Sequence, residues 1–111
     1  MISPIVMVAG TDAPSSEASQ YDCPANSRAV VRHAVFTNHT AGAVTLTVYI
    51  VPSGGSAAAA NKVLDAYSIA AHTAYVSPEV AGVVLNQGDG IHTLASAGTS
   101  IGQSISGILQ T

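Results

Sequence analysis

Aliphatic and polar side chains alternate strictly along residues 44–50, and this pattern constrains the fold more than any other in the chain. Successive side chains of a β-strand point to opposite faces, so a period of two gives one apolar face and one polar face. The segment therefore predicts a half-buried strand that needs a second apolar layer to cover it. The side chains expected to face the core are Val44, Leu46, Val48 and Ile50.

Other short apolar runs fill the rest of the chain, separated by clusters of Gly, Pro, Asn and Ser that are typical of turns. The short turn over residues 38–42 predicts that the strands on either side of it form a hairpin, and Gly107 predicts a bulge in the last strand. Seven or eight short strands of this kind predict an all-β fold, an antiparallel β-sandwich or jelly roll. The expected strands are residues 1–9, 20–23, 28–37, 43–51, 62–69, 72–77, 91–96 and 101–109.

The N-terminal segment differs from the rest of the chain. Residues 1–9 are apolar and contain Pro4, which favours the edge or start of a sheet because proline cannot donate a backbone hydrogen bond. Residues 10–19 are small and polar, as in a linker. The expected organisation is an extended N-terminal arm and linker over residues 1–19, followed by a β-sandwich domain over residues 20–111. The arm residues expected to contact a neighbouring subunit are Ile2, Pro4, Ile5, Val6 and Val8.

Charge is unusually scarce in this chain of 111 residues. Charged side chains make up 8% of it, with three Lys or Arg and six Asp or Glu, whereas an ordinary soluble domain has about 25%. So few cations cannot follow a phosphate backbone, which argues against nucleic-acid binding. There is also no basic amphipathic helix and no apolar run long enough to suggest a membrane partner. A neutral surface of this kind is poorly protected against association and favours a protein that assembles with neighbours.

The titratable residues give no catalytic or metal-binding pattern. The four histidines, His33, His39, His72 and His92, are scattered without ligand spacing. Asp89 lies in a Gly-rich turn whose later acidic calcium ligands are missing, and its side chain is expected to bond the turn's own backbone. The single cysteine, Cys23, cannot form an intrachain disulfide and is expected to be buried in a chain that folds in a reducing cytoplasm. No catalytic residue, metal or cofactor is therefore predicted.

Four segments together carry a resemblance to a known group of proteins. Residues 24–31 run Pro-Ala-Asn-Ser-Arg-Ala-Val-Val into a strand, residues 36–56 continue through the alternating strand to Pro-Ser-Gly-Gly-Ser, and residues 84–91 and 105–108 follow. This succession resembles the small β-sandwich structural proteins of tailed bacteriophages, over about residues 20–109. The resemblance implies a virion component assembled in the bacterial host cytoplasm. Its expected partners are the major capsid protein or other virion proteins, and it is expected to be a homo-oligomer, with a trimer favoured.

Within that resemblance, an accessory head decoration (cement) protein is the leading hypothesis. A neck or collar protein and a tail-fibre component are alternatives that the residues do not separate. A receptor- or glycan-binding module is a further alternative, although the chain has no Trp and only five aromatic residues. An enzyme is disfavoured because no site can be assembled from the residues present.

Overall fold

The computed structural model describes residues 1–111 and contains nine β-strands and one short 3₁₀ turn at Ala59–Asn61. Several strand boundaries follow the turn signals, since β3 ends at Asn38, β4 ends before Pro52 and β8 begins at Gly90. The strands are β1 (Ile2–Asp12), β2 (Ala18–Asp22), β3 (Arg28–Asn38), β4 (Val44–Val51), β5 (Lys62–Ile69), β6 (Ala74–Val76), β7 (Val84–Leu85), β8 (Gly90–Ala95) and β9 (Ile101–Gln110).

The strands form two antiparallel sheets. The larger sheet has the order β1-β9-β3-β6, with β7 also paired to β3, and the smaller sheet has the order β2-β8-β4-β5. Buried side chains of both sheets meet in one core of 19 residues, which includes Phe36 and Ile105 from the larger sheet and Leu46 and Ile91 from the smaller. This arrangement confirms the predicted antiparallel β-sandwich.

The predicted hairpin between the third and fourth strands is wrong. β3 belongs to the larger sheet and β4 to the smaller one, so the loop at residues 39–43 crosses from one layer to the other. Each of the two strands has a row of aliphatic side chains that needs to be covered. Two such rows cover each other when the strands lie in opposite sheets, whereas neighbours in one sheet would both need a second layer. Asn38 fixes the crossing, since its buried side-chain NH₂ donates to the carbonyls of Gly42 (2.8 Å) and Ile69 (3.0 Å).

The N-terminal residues are part of the sandwich in this structure. β1 pairs with β9 of the same chain from Ile2 to Asp12 and forms one edge of the larger sheet. The strand therefore runs further than the apolar segment that predicted it, through Gly10, whose positive φ of 61° accommodates a break in register. The polar residues that follow reach the smaller sheet, where β2 begins at Ala18.

The bulge predicted at Gly107 of the last strand is found in the two strands beside it. β9 is continuous, whereas the registers of β1 and β3 each skip one residue beside it, at Met7 and at Arg32. The extra residue in β1 places both Met7 and Val8 in the buried core. The bulge at Met7 thus sets which β1 side chains face outward.

Candidate interaction surface

One face of the larger sheet covers the core, and the opposite face carries apolar side chains in the open. Directly paired residues of antiparallel strands point to the same side of a sheet. The register places four apolar residues in one row across β1, β9, β3 and β7. They are Pro4, Ile108, Val30 and Val84. We call this side of the sheet the outer face.

A second row crosses the same face nearer its other end. Val35 of β3 is paired with Val76 of β6 and with Ser104 of β9, which in turn is paired with Ala9 of β1. Between the two rows, Val6 of β1 is paired with Ser106 of β9, which is paired with the exposed His33 of β3. The outer face therefore carries two mainly apolar rows with a more polar row between them.

Exposed large hydrophobic side chains are concentrated on this face. There are six in the chain, and four of them, Ile2, Val6, Val76 and Val84, belong to the outer face with 50–67% of their surface exposed. The other two are Met1 at the chain start and Tyr67 on β5. Scattered exposed apolar residues are normal, but a contiguous group of them marks an interaction site.

The smaller sheet presents a different outer surface. Its solvent side carries Thr45 and Tyr49 of β4, Ser19 of β2 and His92 of β8, which are polar or amphipathic. The ring Nδ1 of His92 is bonded to the carboxylate of Glu17. This surface can be solvated without a partner, so the two sides of the sandwich are not equivalent.

The charges on the outer face are mainly positive. Arg28 lies beside Gln110 in the row of Ile2, and Arg32 is the bulge residue of β3. The chain contains three ion pairs, and neither arginine takes part in one. The pairs are Asp12–His39, Lys62–Asp65 and Glu17–His92. Asp12 stands at the far end of the face, where its carboxylate is 2.8 Å from Nε2 of His39.

A shallow groove of about 450 Å³ crosses the outer face near its β1 edge. Apolar side chains of Pro4, Val6 and Ile108 line it, and Arg32 contributes the only charged group. The groove thus combines apolar contact area with a planar guanidinium that can bind a carboxylate in a bidentate manner.

The five interface residues expected from the sequence are divided between two sides of β1. Ile2, Pro4 and Val6 reach the outer face, whereas Ile5 packs partly against the core and Val8 is buried in it. Ile5 faces inward by the ordinary alternation of a strand, whereas the bulge at Met7 shifts that alternation by one position and turns Val8 into the core.

Sequence reasoning missed the part of the outer face that comes from other strands. Val30, Val84 and Ile108 each stand next to an aliphatic residue that faces the core. Adjacent aliphatic residues in a strand indicate that both of its faces are covered. That signal was present at residues 30–31, 83–85 and 108–109.

The titratable groups elsewhere serve local structure. No group of three His, Cys, Asp or Glu side chains lies close enough together to hold a metal ion. The carboxylate of Asp89 accepts hydrogen bonds from the backbone N–H groups of Ser53 and Asn86, each at 3.0 Å, and so ties two loops together. The burial predicted for Cys23 is confirmed, with 4% of its surface exposed. None of the chain's helical segments has the length and apolar character needed to span a membrane.

Comparison with known proteins gives similarity of fold without similarity of sequence. No protein-family model matches the chain, and no curated protein sequence does. A chain in a structure of the infectious bursal disease virus Gx strain matches 98% of this chain with a TM-score of 0.60 at 14% identity. The VP2 subviral particle of the same virus matches with a TM-score of 0.51 at 10% identity, and the Gt strain with 0.50 at 15%, each again over 98% of this chain.

This chain spans about a third of the length of those virus chains, namely 31–32% of each. At such low identity the match concerns the path of the backbone. The chain thus has the β-sandwich fold of one part of these virus proteins.

Proposed function

We propose that the chain is a non-enzymatic structural component of a virus particle. The observation that carries the proposal is the fold match, in which 98% of the chain follows a chain of a virus structure at a TM-score of 0.60. Fold alone does not determine function, so the proposal also depends on the surface. A sandwich with an apolar outer face and no convergent titratable site is suited to work through contacts.

The more specific proposal is an accessory head decoration protein of a tailed bacteriophage, bound to the major capsid protein in many copies and favouring a trimer. Its support is the resemblance of residues 20–109 to small phage virion proteins, together with the scarcity of charge. Proteins of this kind act by burying area between subunits. In this hypothesis Ile2, Pro4 and Val6 supply part of that contact, and the virion is the site of action.

Locating the chain in purified particles tests the proposal. We expect electron microscopy of particles, compared with particles from a virus lacking the gene, to show extra density repeated over the head surface. Density confined to one vertex or to the tail would favour a neck, collar or tail-fibre protein instead. Complete absence of the chain from particles, measured by mass spectrometry, would refute a virion role.

Heat release of the genome gives an independent measurement of the decoration function. Particles that lack a decoration protein should lose their DNA at a lower temperature than complete ones, because inter-subunit contacts have been removed. Adding purified chain back should restore the release temperature. An unchanged temperature in both experiments would exclude a stabilising role while leaving a structural role in another part of the virion.

A receptor- or glycan-binding module remains the second candidate, and one observation favours it. A polar cavity of about 470 Å³ lies at the end of the sandwich, lined by Asn26, Arg28, Asn86 and Gln87 among others. Amide side chains can exchange hydrogen bonds with sugar hydroxyls. A glycan array probed with the chain should then give saturable binding that Asn86→Ala abolishes, whereas an array without signal would remove this candidate.

A further inference from the structure

We infer that the outer face of the larger sheet is the docking surface for a different protein, one that presents carboxylates around an apolar patch. The inference rests on the proposed function only for the identity of that protein, which in a virus particle would be a coat subunit. The chemistry of the partner follows from this chain alone.

The apolar content of the face requires a protein surface in contact with it. The row of Pro4, Ile108, Val30 and Val84 crosses four strands, and Val6 and Val76 continue the apolar surface from this row towards the Asp12 end of the sheet. A phosphate backbone would leave these side chains without contacts. A complementary apolar patch would remove them from water, which is the main favourable contribution in protein association.

The two arginines define the charge of the partner. Arg28 and Arg32 lie beside the apolar rows, and no carboxylate of this chain pairs with either. A guanidinium that is desolvated in an interface needs an acidic partner to compensate for the loss of water. Since Asp12 is occupied by His39 at the far end of the face, those carboxylates must come from the second protein.

A second copy of this chain does not fit the same surface. A twofold axis would place the same patch of both copies in contact, which adds two further arginines and no free carboxylate. Extension of the sheet at β1 is also obstructed. Pro4 has no N–H group, and the register breaks at Met7 and Gly10 interrupt a regular edge. The partner therefore contacts side chains across the face instead of adding a strand.

Add-back to particles tests the inference. Purified full-length chain is mixed with particles from a virus that lacks its gene, and the dissociation constant is measured by sedimentation. We expect Arg32→Glu and Val84→Asp each to weaken binding by about tenfold or more, while Arg32→Lys weakens it less. The control Ser68→Asp, which adds the same single negative charge as Val84→Asp but at an exposed position of β5, should bind as wild type does. Thermal unfolding of each variant shows whether it is folded.

The outcomes separate the inference from the proposed function. If wild type binds particles and the outer-face variants bind equally well, the inference is wrong and the virion role stands. If wild type does not bind particles, a photo-crosslinking residue at position 84, with position 68 as control, is used in virus-producing cells.

Crosslinking at position 84 then decides the identity of the occupant. A different protein whose crosslinked peptides contain Asp or Glu, and whose capture is lost with Arg32→Glu, supports the inference without a virion role. Crosslinking to a second copy, to viral DNA or to nothing at all would overturn it.

Discussion

Gly107 and Val30 are in direct backbone contact across β9 and β3, since a Cβ atom added to Gly107 would lie 2.0 Å from the carbonyl oxygen of Val30. The terminal methyl of Met7 closes the same space from the β1 side, 3.0 Å from that position. The central strand of the larger sheet thus has room for glycine alone at the level where both of its neighbours bulge.

Gly107→Ala should therefore destabilise the fold. The obstructing atom belongs to the backbone, which cannot rotate away as a flexible side chain would, so the strands must separate locally. We expect a loss of about 1–3 kcal/mol or more in the free energy of unfolding, measured by urea denaturation. Gly42→Ala is the matched control, because no atom lies within 4 Å of its added Cβ. Equal stability of the two variants would contradict the contact.

Among the buried polar residues, Asn38 should be the one whose substitution destabilises the fold most. Its side chain is fully buried and bonded at both ends, since its oxygen accepts from the backbone N–H and the hydroxyl of Thr40 while its NH₂ donates to two carbonyls. Asn38→Ala removes these four hydrogen bonds, leaves only the Gly42 carbonyl with its second donor in the hydroxyl of Thr40, and should cost at least about 2 kcal/mol. The exposed Asn86→Ala, compared by the same denaturation measurement, should stay within about 0.5 kcal/mol.

The positions of eight of the nine strands could be predicted from the sequence to within about three residues, whereas the two-residue strand β7 and the pairing of strands could not. The alternating run at residues 43–51, for example, gave the bounds of β4 to within one residue because Gly42 and Pro52 flank it. Which strand lies beside another depends on contacts distant in sequence. The turn after β3 is the instructive case. Its length fits a hairpin, yet β3 and β4 belong to different sheets, and the hydrogen bonds of Asn38 to Gly42 and Ile69 hold the crossing loop.

The interaction surface was predictable only in part for a similar reason. Alternation along residues 1–9 can indicate two sides of a strand, but it cannot show that an extra residue at Met7 turns Val8 into the core. Nor can it show that Val84 and Val30 are neighbours, since 54 positions separate them in the chain. Long-range register assembles the outer face, and register has no local signal in the chain.

Cys23 should be unreactive in the folded protein. Burial raises the pKa of its thiol, and the negative charge of Asp89 adds to the effect, so little of the nucleophilic thiolate forms. We expect Ellman's reagent at mildly alkaline pH to modify native Cys23 at least about tenfold more slowly than a cysteine introduced by Ser68→Cys on exposed β5. In denaturant the two sites should react at similar rates, and fast reaction of native Cys23 would show that the interior opens there.

Tyr75 should retain its proton in the folded chain well above the pH at which an ordinary tyrosine ionises. Its pKa is raised from 10.0 to about 12, mainly because its hydroxyl donates to the carboxylate of Glu79, with burial and the Glu79 charge adding to the effect. The same hydrogen bond lowers the pKa of Glu79. The ring also stacks on Tyr67 with a centroid distance of 4.2 Å, which joins the edges of the two sheets.

The sign of the effect on stability follows from these directions. The folded state holds the Tyr75 proton more tightly than the unfolded state, so its contribution is complete below pH 10 and is lost as the pH rises towards 12. For Glu79 the contribution is present at neutral pH and is lost on acidification through its lowered pKa. Glu79→Gln should bring the pKa of Tyr75 back towards 10. The measurement is the ultraviolet absorbance of tyrosinate as the pH is raised. Subtracting the absorbance of a Tyr75→Phe variant, made in both the wild-type and the Glu79→Gln chain, isolates the contribution of Tyr75. An unchanged Tyr75 titration in Glu79→Gln would contradict the hydrogen bond as its cause.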